Sequence, residues 1–130
     1  MTNKELAFLA IEAKERAVPT YSNFHVGAAI LTENDKVYLA GNVETSSYSL
    51  TLCAERISLF KAISEKEKKF KALAIASDDP DFCPPCGACR QALNDLCGDI
   101  DIVMINDKKE LKIMKLSELF PFPFGDNNLK

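Results

Sequence analysis

Two short stretches, "LCAERISLF" at 52–60 and "CPPCGACRQAL" at 83–93, constrain the fold more than any other part of the chain. In the second, Cys83, Cys86 and Cys89 fall at i, i+3 and i+6, where two prolines give way to helical spacing. Cys86 and Cys89 then share one face of a first helical turn, as a C-x-x-C metal site requires, and Pro85 sets how the chain approaches that turn. In the first stretch Cys53 stands two residues before Glu55 at the start of another helical run. A thiolate at a helix N-terminus is favoured by the free backbone N–H groups and the positive end of the dipole, so its pKa falls. The fold has to bring these two helix starts together.

The rest of the pattern supplies a way to do so. Thr2 and Glu5 form a capping box, and Leu6, Leu9, Ala10, Ala13 and Ala17 follow at helical spacing, which predicts a first helix to about Ala17, ended by Pro19. After the loop "PTYSNF", β-rich segments at 26–32 and 36–43 flank "ENDK" as a hairpin. Helical spacing returns at 52–66. "FKALAIAS" then reads as a strand, "CGACRQALNDLC" as a helix stopped by Gly98, "DIVMIN" as a buried strand, "LKIMKL" as an edge strand and "SELF" as a closing turn. The order α-β-β-α-β-α-β-β is an α/β sheet layered with helices. The helices starting near Cys53 and Cys86 each follow a strand, so both begin along the carboxyl edge of the sheet, where such folds place ligands.

Bulk properties exclude several function classes. A chain of 130 residues, 47% of them apolar, suits one domain spanning 1–130. Sixteen basic against nineteen acidic residues give a net charge of -3, with the lysines scattered, which argues against nucleic-acid or membrane-surface partners. No apolar run approaches the roughly 20 residues of a membrane span, and "MTNKELAFLAIEAKER" carries charges where a signal peptide would be apolar. A cytoplasmic location with reduced thiols is expected. Five cysteines, four of them between Cys83 and Cys97, suit a metal site or reactive thiol better than a disulfide framework.

Two helix ends aimed at one point would offer the thiolates of Cys53, Cys86 and Cys89 to a single Zn²⁺ per subunit and leave a fourth tetrahedral position to water. Glu55 would then reach past the metal as a carboxylate able to move a proton. Three thiolates on Zn²⁺ leave a charge of -1, so cationic neighbours are needed; Arg56 and Arg90 each directly follow a motif residue, with Arg56 the first choice as donor to the sulfurs.

C-A-E followed about 30 residues later by P-C-x-x-C resembles the zinc nucleoside deaminase signature, including its three-Cys variant. With "YSNFHVGAAI", "GNVETSSYSLTLCAER", "PPCGACRQAL" and "ELFPFPF", the chain is similar over nearly its whole length to the small homotetrameric cytidine deaminases. The resemblance implies a three-layer α/β/α sandwich around a mixed, mostly five-stranded sheet. It implies hydrolysis of cytidine and 2'-deoxycytidine to uridine and 2'-deoxyuridine with release of ammonia. Zinc-activated water attacks C4, and Glu55 carries the proton to N3 and then to the amine. It further implies Cys53, Cys86 and Cys89 as zinc ligands, and Asn42 and Glu44 on the ribose 3'-hydroxyl. Phe24 would pack on the pyrimidine, the backbone near Ala54 and Pro85 would hold the base edge, and Tyr48 would lie near a subunit junction. Phe124, with Phe122 as the alternative, would reach in from a neighbouring subunit. The chain departs from the family pattern at Thr20, where a proline often stands, and at His25.

Plainer readings stand beside these. C-x-x-C alone fits a structural zinc site or a redox pair, and Cys83 could complete a closed four-Cys site in a non-catalytic zinc-binding module. Otherwise Cys83, like Cys97, is a small buried hydrophobe. His25 reads as a packed or half-exposed strand residue, Arg90 as a surface cap, "NVE" as a turn, and the Phe tail as core. A blasticidin-type aminonucleoside deaminase would keep the chemistry but is expected to lack the Glu of "NVE". A polynucleotide-editing enzyme would need a basic face that the composition does not provide.

Overall fold

The computed structural model describes residues 1–129; Lys130, the end of the expected domain, lies outside them. Helix α1 (Asn3–Ala13) begins at the capping box: the Glu5 N–H donates to Thr2 Oγ1 at 3.1 Å, and the Thr2 N–H to Glu5 Oε1 at 2.8 Å. It ends sooner than its spacing predicts, tightening into a 3₁₀ turn at Lys14–Arg16. The reason is tertiary. The Val18 N–H donates to Asn42 O at 2.7 Å and the Glu44 N–H to Val18 O at 3.0 Å, so the chain must leave the helix to bridge the end of a strand.

Five strands, β1 (Val26–Thr32), β2 (Val37–Gly41), β3 (Phe70–Ser77), β4 (Asp101–Ile105) and β5 (Leu111–Lys115), form one mixed sheet in the order β2-β1-β3-β4-β5. β1 runs antiparallel to β2 and β3, β3 and β4 are parallel, and β5 is an antiparallel edge. Helix α2 (Ala54–Ser64) connects β2 to β3, and α3 (Gly87–Cys97) connects β3 to β4. α4 (Leu116–Leu119) is the predicted closing turn.

Alternation along the strands sorts the sheet into two cores. Ala28, Ile30, Leu73, Ile75, Ile102 and Met104 pack with Ala54, Leu59 and Ala62 of α2 and Leu93 of α3. On the other face Ala29, Leu31, Ala72, Ala74, Ala76, Val103 and Ile105 meet Leu6, Ala7 and Ala10 of α1. The three layers are those expected. The α1 face is mostly alanine, so the helix lies close to the strands, closest over Gly27, while the chain just past the helix crosses Gly41, its partner in the β1–β2 register. A Cβ on Gly27 would stand 2.1 Å from Ala10 O, and one on Gly41 2.3 Å from the Ala17 nitrogen.

Both clashes are with backbone, which cannot rotate away. Gly27→Ala should therefore cost roughly 1–3 kcal/mol or more through overpacking. Gly125→Ala, whose new Cβ would meet its nearest atom at 3.5 Å, should stay near wild type. Denaturant midpoints measure both; equal midpoints for Gly27→Ala and wild type would show that α1 is not seated by this contact.

Candidate metal centre and active site

Cys53 and Cys86 are the N-caps of α2 and α3, both in extended conformation, and neither side chain is used to cap its helix. Their sulfurs are thus left free at positions where Ser or Asp would normally bond backward to the first turn. Because β2 and β3 point the same way in the sheet, the two helix starts lie on one edge, as the topology predicted. Cys53 Sγ lies 3.5 Å from Cys86 Sγ, Cys86 Sγ lies 3.3 Å from Cys89 Sγ, and all three fall within 4.8 Å of one another. Cys89 is buried, Cys53 half-buried and Cys86 exposed.

Electrostatics divides the three thiols unequally. Hydrogen bonding from Cys89, helped by Arg56 and Cys86, brings the Cys53 thiol down to about 5 despite its burial. The same partnership and burial push Cys89 strongly up. Arg56 donates from Nη2 to Cys53 Sγ at 3.6 Å. Arg90 is placed differently: its Nη1 donates to Leu119 O at 2.6 Å and its guanidinium lies 5.6 Å from the Phe120 ring. Those partners tie α3 to the C-terminal segment, a tertiary contact that adjacency to Cys89 in sequence did not reveal.

Glu55 is 4% exposed and its Oε1 has no hydrogen-bond partner among the described residues. Burial first, and the Cys53 thiolate next, push its carboxyl up to about 7. A buried carboxyl with a free oxygen beside converging sulfurs is incomplete as protein alone. The soft donor set and its size suit zinc. Cys83 stands outside the cluster, its Sγ 3.7 Å from Pro84 O, half-buried against the core. Cys97 packs on the same core, and burial raises its thiol to about 12.

A cavity of about 450 Å³ opens above the sulfurs. Phe24, Asn42, Glu44, Cys53, Glu55 and Cys86 line it together with Ser22 and Cys83, and its size is in the range of small-ligand sites. "NVE" is held there from both sides: Val43 bridges Val18 and also Leu52, one residue before Cys53. Asn42 is buried and engaged, its Nδ2 donating to Phe24 O and its Oδ1 accepting from the Val26 N–H, both at 2.9 Å. Glu44 accepts from the Tyr21 and Ser22 N–H groups and the Ser22 hydroxyl; the hydroxyl, then the Ser22 N–H, holds its carboxyl below the usual range. Ser22, in the loop "PTYSNF", gives no distinguishing signal in the sequence, since serine is common in polar loops.

The remaining predicted residues lie nearby or at the surface. Ala54 and Pro85 are both buried, and the cavity wall beside them is formed by Cys53, Glu55 and Pro84. Tyr48 is 72% exposed and stacks edge-on against Tyr21 with ring centres 5.5 Å apart. Phe122 and Phe124 are both exposed, Phe124 anchored by a 2.8 Å bond from Gln91 Nε2 to its carbonyl. His25 is half-exposed; its backbone N–H donates to Asp78 Oδ2 and its Nδ1 lies 2.7 Å from the same oxygen.

A profile described as the cytidine and deoxycytidylate deaminase zinc-binding region matches residues 1–105. A cytidine deaminase from Sporosarcina psychrophila is 40% identical over 119 residues, 91% of this chain and 88% of that protein. The crystal structure of a cytidine deaminase from Burkholderia pseudomallei superposes with a TM-score of 0.90 at 38% identity, covering 95% of this chain and all of that one. More distant is a blasticidin-S deaminase from Bacillus cereus, 32% identical over 111 residues and 79% of each chain. The motifs that line the cavity and the matches across both sequence and fold agree: the chain belongs to the cytidine and deoxycytidylate deaminase family.

Proposed function

We propose that the chain deaminates cytidine and 2'-deoxycytidine hydrolytically, giving uridine or 2'-deoxyuridine and ammonia. The observation that carries this reading is the buried Glu55 carboxyl, with an unpartnered oxygen, beside three converging cysteine sulfurs. Cys53, Cys86 and Cys89 would hold one Zn²⁺, whose Lewis acidity makes water a competent nucleophile near neutral pH. Arg56 offsets the excess negative charge of the sulfurs.

Glu55 supplies the proton traffic. Its carboxylate accepts a proton from the attacking water as the C4–O bond forms, and delivers it to N3 of the pyrimidine. A second transfer through the same carboxyl goes to the 4-amino group, which departs as ammonia while the C4 carbonyl forms. A carboxyl whose burial raises its pKa toward the working pH can both accept and release a proton there. Phe24 packs on the base, the backbone around Ala54 and Pro85 holds its edge, and Asn42 and Glu44 meet the ribose. This last contact favours an ordinary nucleoside over a blasticidin-type substrate.

The aromatic surface bears on assembly. Tyr21, Tyr48, Phe122 and Phe124 all stand exposed close to the cavity or in the tail, a costly arrangement in water. Burial against further copies removes that cost, so we take the working form to be a homotetramer in which Tyr48 and Phe124 contribute across subunits. Among the described residues no helix is long and apolar enough to cross a membrane; a cytoplasmic location is part of the proposed reading, where the thiols stay reduced.

Ammonia release from cytidine, 2'-deoxycytidine, cytosine, blasticidin S and adenosine tests the substrate. Turnover is expected for the first two, with a fall of roughly 10²–10⁴-fold in kcat for Glu55→Ala. Full activity in that variant, or no ammonia from cytidine, would refute the reading. Light scattering tests the assembly: a mass near four 14.4 kDa chains is expected, and a monomer at working concentration would contradict it.

A further inference from the structure

Ser22, two residues before Phe24 in "YSNF", is joined to both Glu44 and Phe24 of the cavity wall. Its hydroxyl donates to Glu44 Oε2 and accepts the Phe24 N–H at 3.0 Å. The proton assignment is forced, because a backbone N–H can only donate and an ionised carboxylate can only accept. The Ser22 N–H also donates to Glu44 Oε1 at 2.9 Å, beside that of Tyr21. Glu44 therefore has three of its roughly four acceptor positions occupied before any ligand arrives. Oε1 has two donors and Oε2 one, which leaves a single acceptor position on Oε2.

The loop's backbone reinforces this arrangement. Asn23 sits in the left-handed region at φ 56°, tolerable for asparagine, with its N–H donating to Pro19 O at 2.9 Å. Phe24 is then held at both ends, its N–H by Ser22 and its carbonyl by Asn42 Nδ2. The chain of contacts Glu44–Ser22–Phe24–Asn42 links the residues facing the ribose to the ring facing the base.

We propose that Ser22 is a specificity-determining positioning residue: by occupying one side of Glu44 Oε2 it aims the remaining acceptor at a sugar hydroxyl, and so sets the preference for substrates bearing a ribose 3'-hydroxyl. This rests on the deaminase reading above. Ser22 lies at the surface, where water can replace its bonds in the empty site, so its removal should cost the fold little. The effect should emerge when a ligand excludes that water and the carboxylate must already point correctly.

The test compares cytidine with 3'-deoxycytidine, by kcat/KM or, where turnover is too slow, by an inhibition constant against cytidine. Wild type should prefer cytidine. In Ser22→Ala the KM for cytidine should rise roughly tenfold with kcat little changed, as for loss of a hydrogen bond to a charged group. The value for 3'-deoxycytidine should hold, collapsing the preference, and Ser22→Thr, which keeps a hydroxyl, should restore it. Glu44→Gln should show the same collapse, and the double variant little more. Equal losses on both substrates, or an unchanged preference in Ser22→Ala, would overturn the proposal while leaving the deaminase reading intact. A wild type inert toward cytidine would instead remove the reading itself, and the proposal with it.

Discussion

Three sulfurs from two helix starts occupy one small volume, and most of the site's behaviour follows from that crowding. Two like unit charges about 4 Å apart repel by about 4 kcal/mol at an effective dielectric near 20. A helix N-terminus returns only about 0.3–1 kcal/mol to each anion. Repulsion wins, so the protein alone cannot support three thiolates. The titration directions express this conflict: Cys53 takes the charge and Cys89 keeps its proton. A divalent cation resolves it, and the family's zinc-binding region spans these residues.

The same conflict tunes Glu55. Burial disfavours its charged form, the Cys53 thiolate adds to that, and Arg56 opposes it only in part. The scaffold that holds the opposite wall of the cavity is tied directly to the packing of α1. Gly27 and Gly41, over which α1 and the turn that follows it pass, are one residue away from Val26 and Asn42, the partners in the clamp that fixes Phe24. Seating the helix and presenting the substrate-facing loop are thus neighbouring parts of one structure. Sheet packing reaches the site through the backbone of β1 and β2 and the side chain of Asn42.

Local chemistry made much of this legible in the sequence. β1 and β3 match their predicted spans because both are mostly apolar runs bounded by turn residues, and the capping box at Thr2 and Glu5 marked the start of α1. The convergence of Cys53, Cys86 and Cys89 followed from two strand-to-helix turns on one sheet edge. What stayed hidden depends on contacts distant in sequence. α1 ends at Ala13 because Val18 is recruited to the end of β2, which helical spacing cannot show. Arg90 reaches Leu119 because the C-terminal segment folds back on α3. Ser22 matters through Glu44, twenty-two residues away, and serine in a polar loop is too common to stand out.

The geometry of the bound metal tests the central claim most directly. X-ray absorption at the zinc edge of the native, zinc-loaded protein should return three sulfur neighbours at about 2.3 Å and one lighter oxygen neighbour. Cys83→Ser should leave that spectrum unchanged. Four sulfurs at bonding distance, or a spectrum altered by the Cys83 substitution, would mean a closed structural site and would contradict the catalytic account.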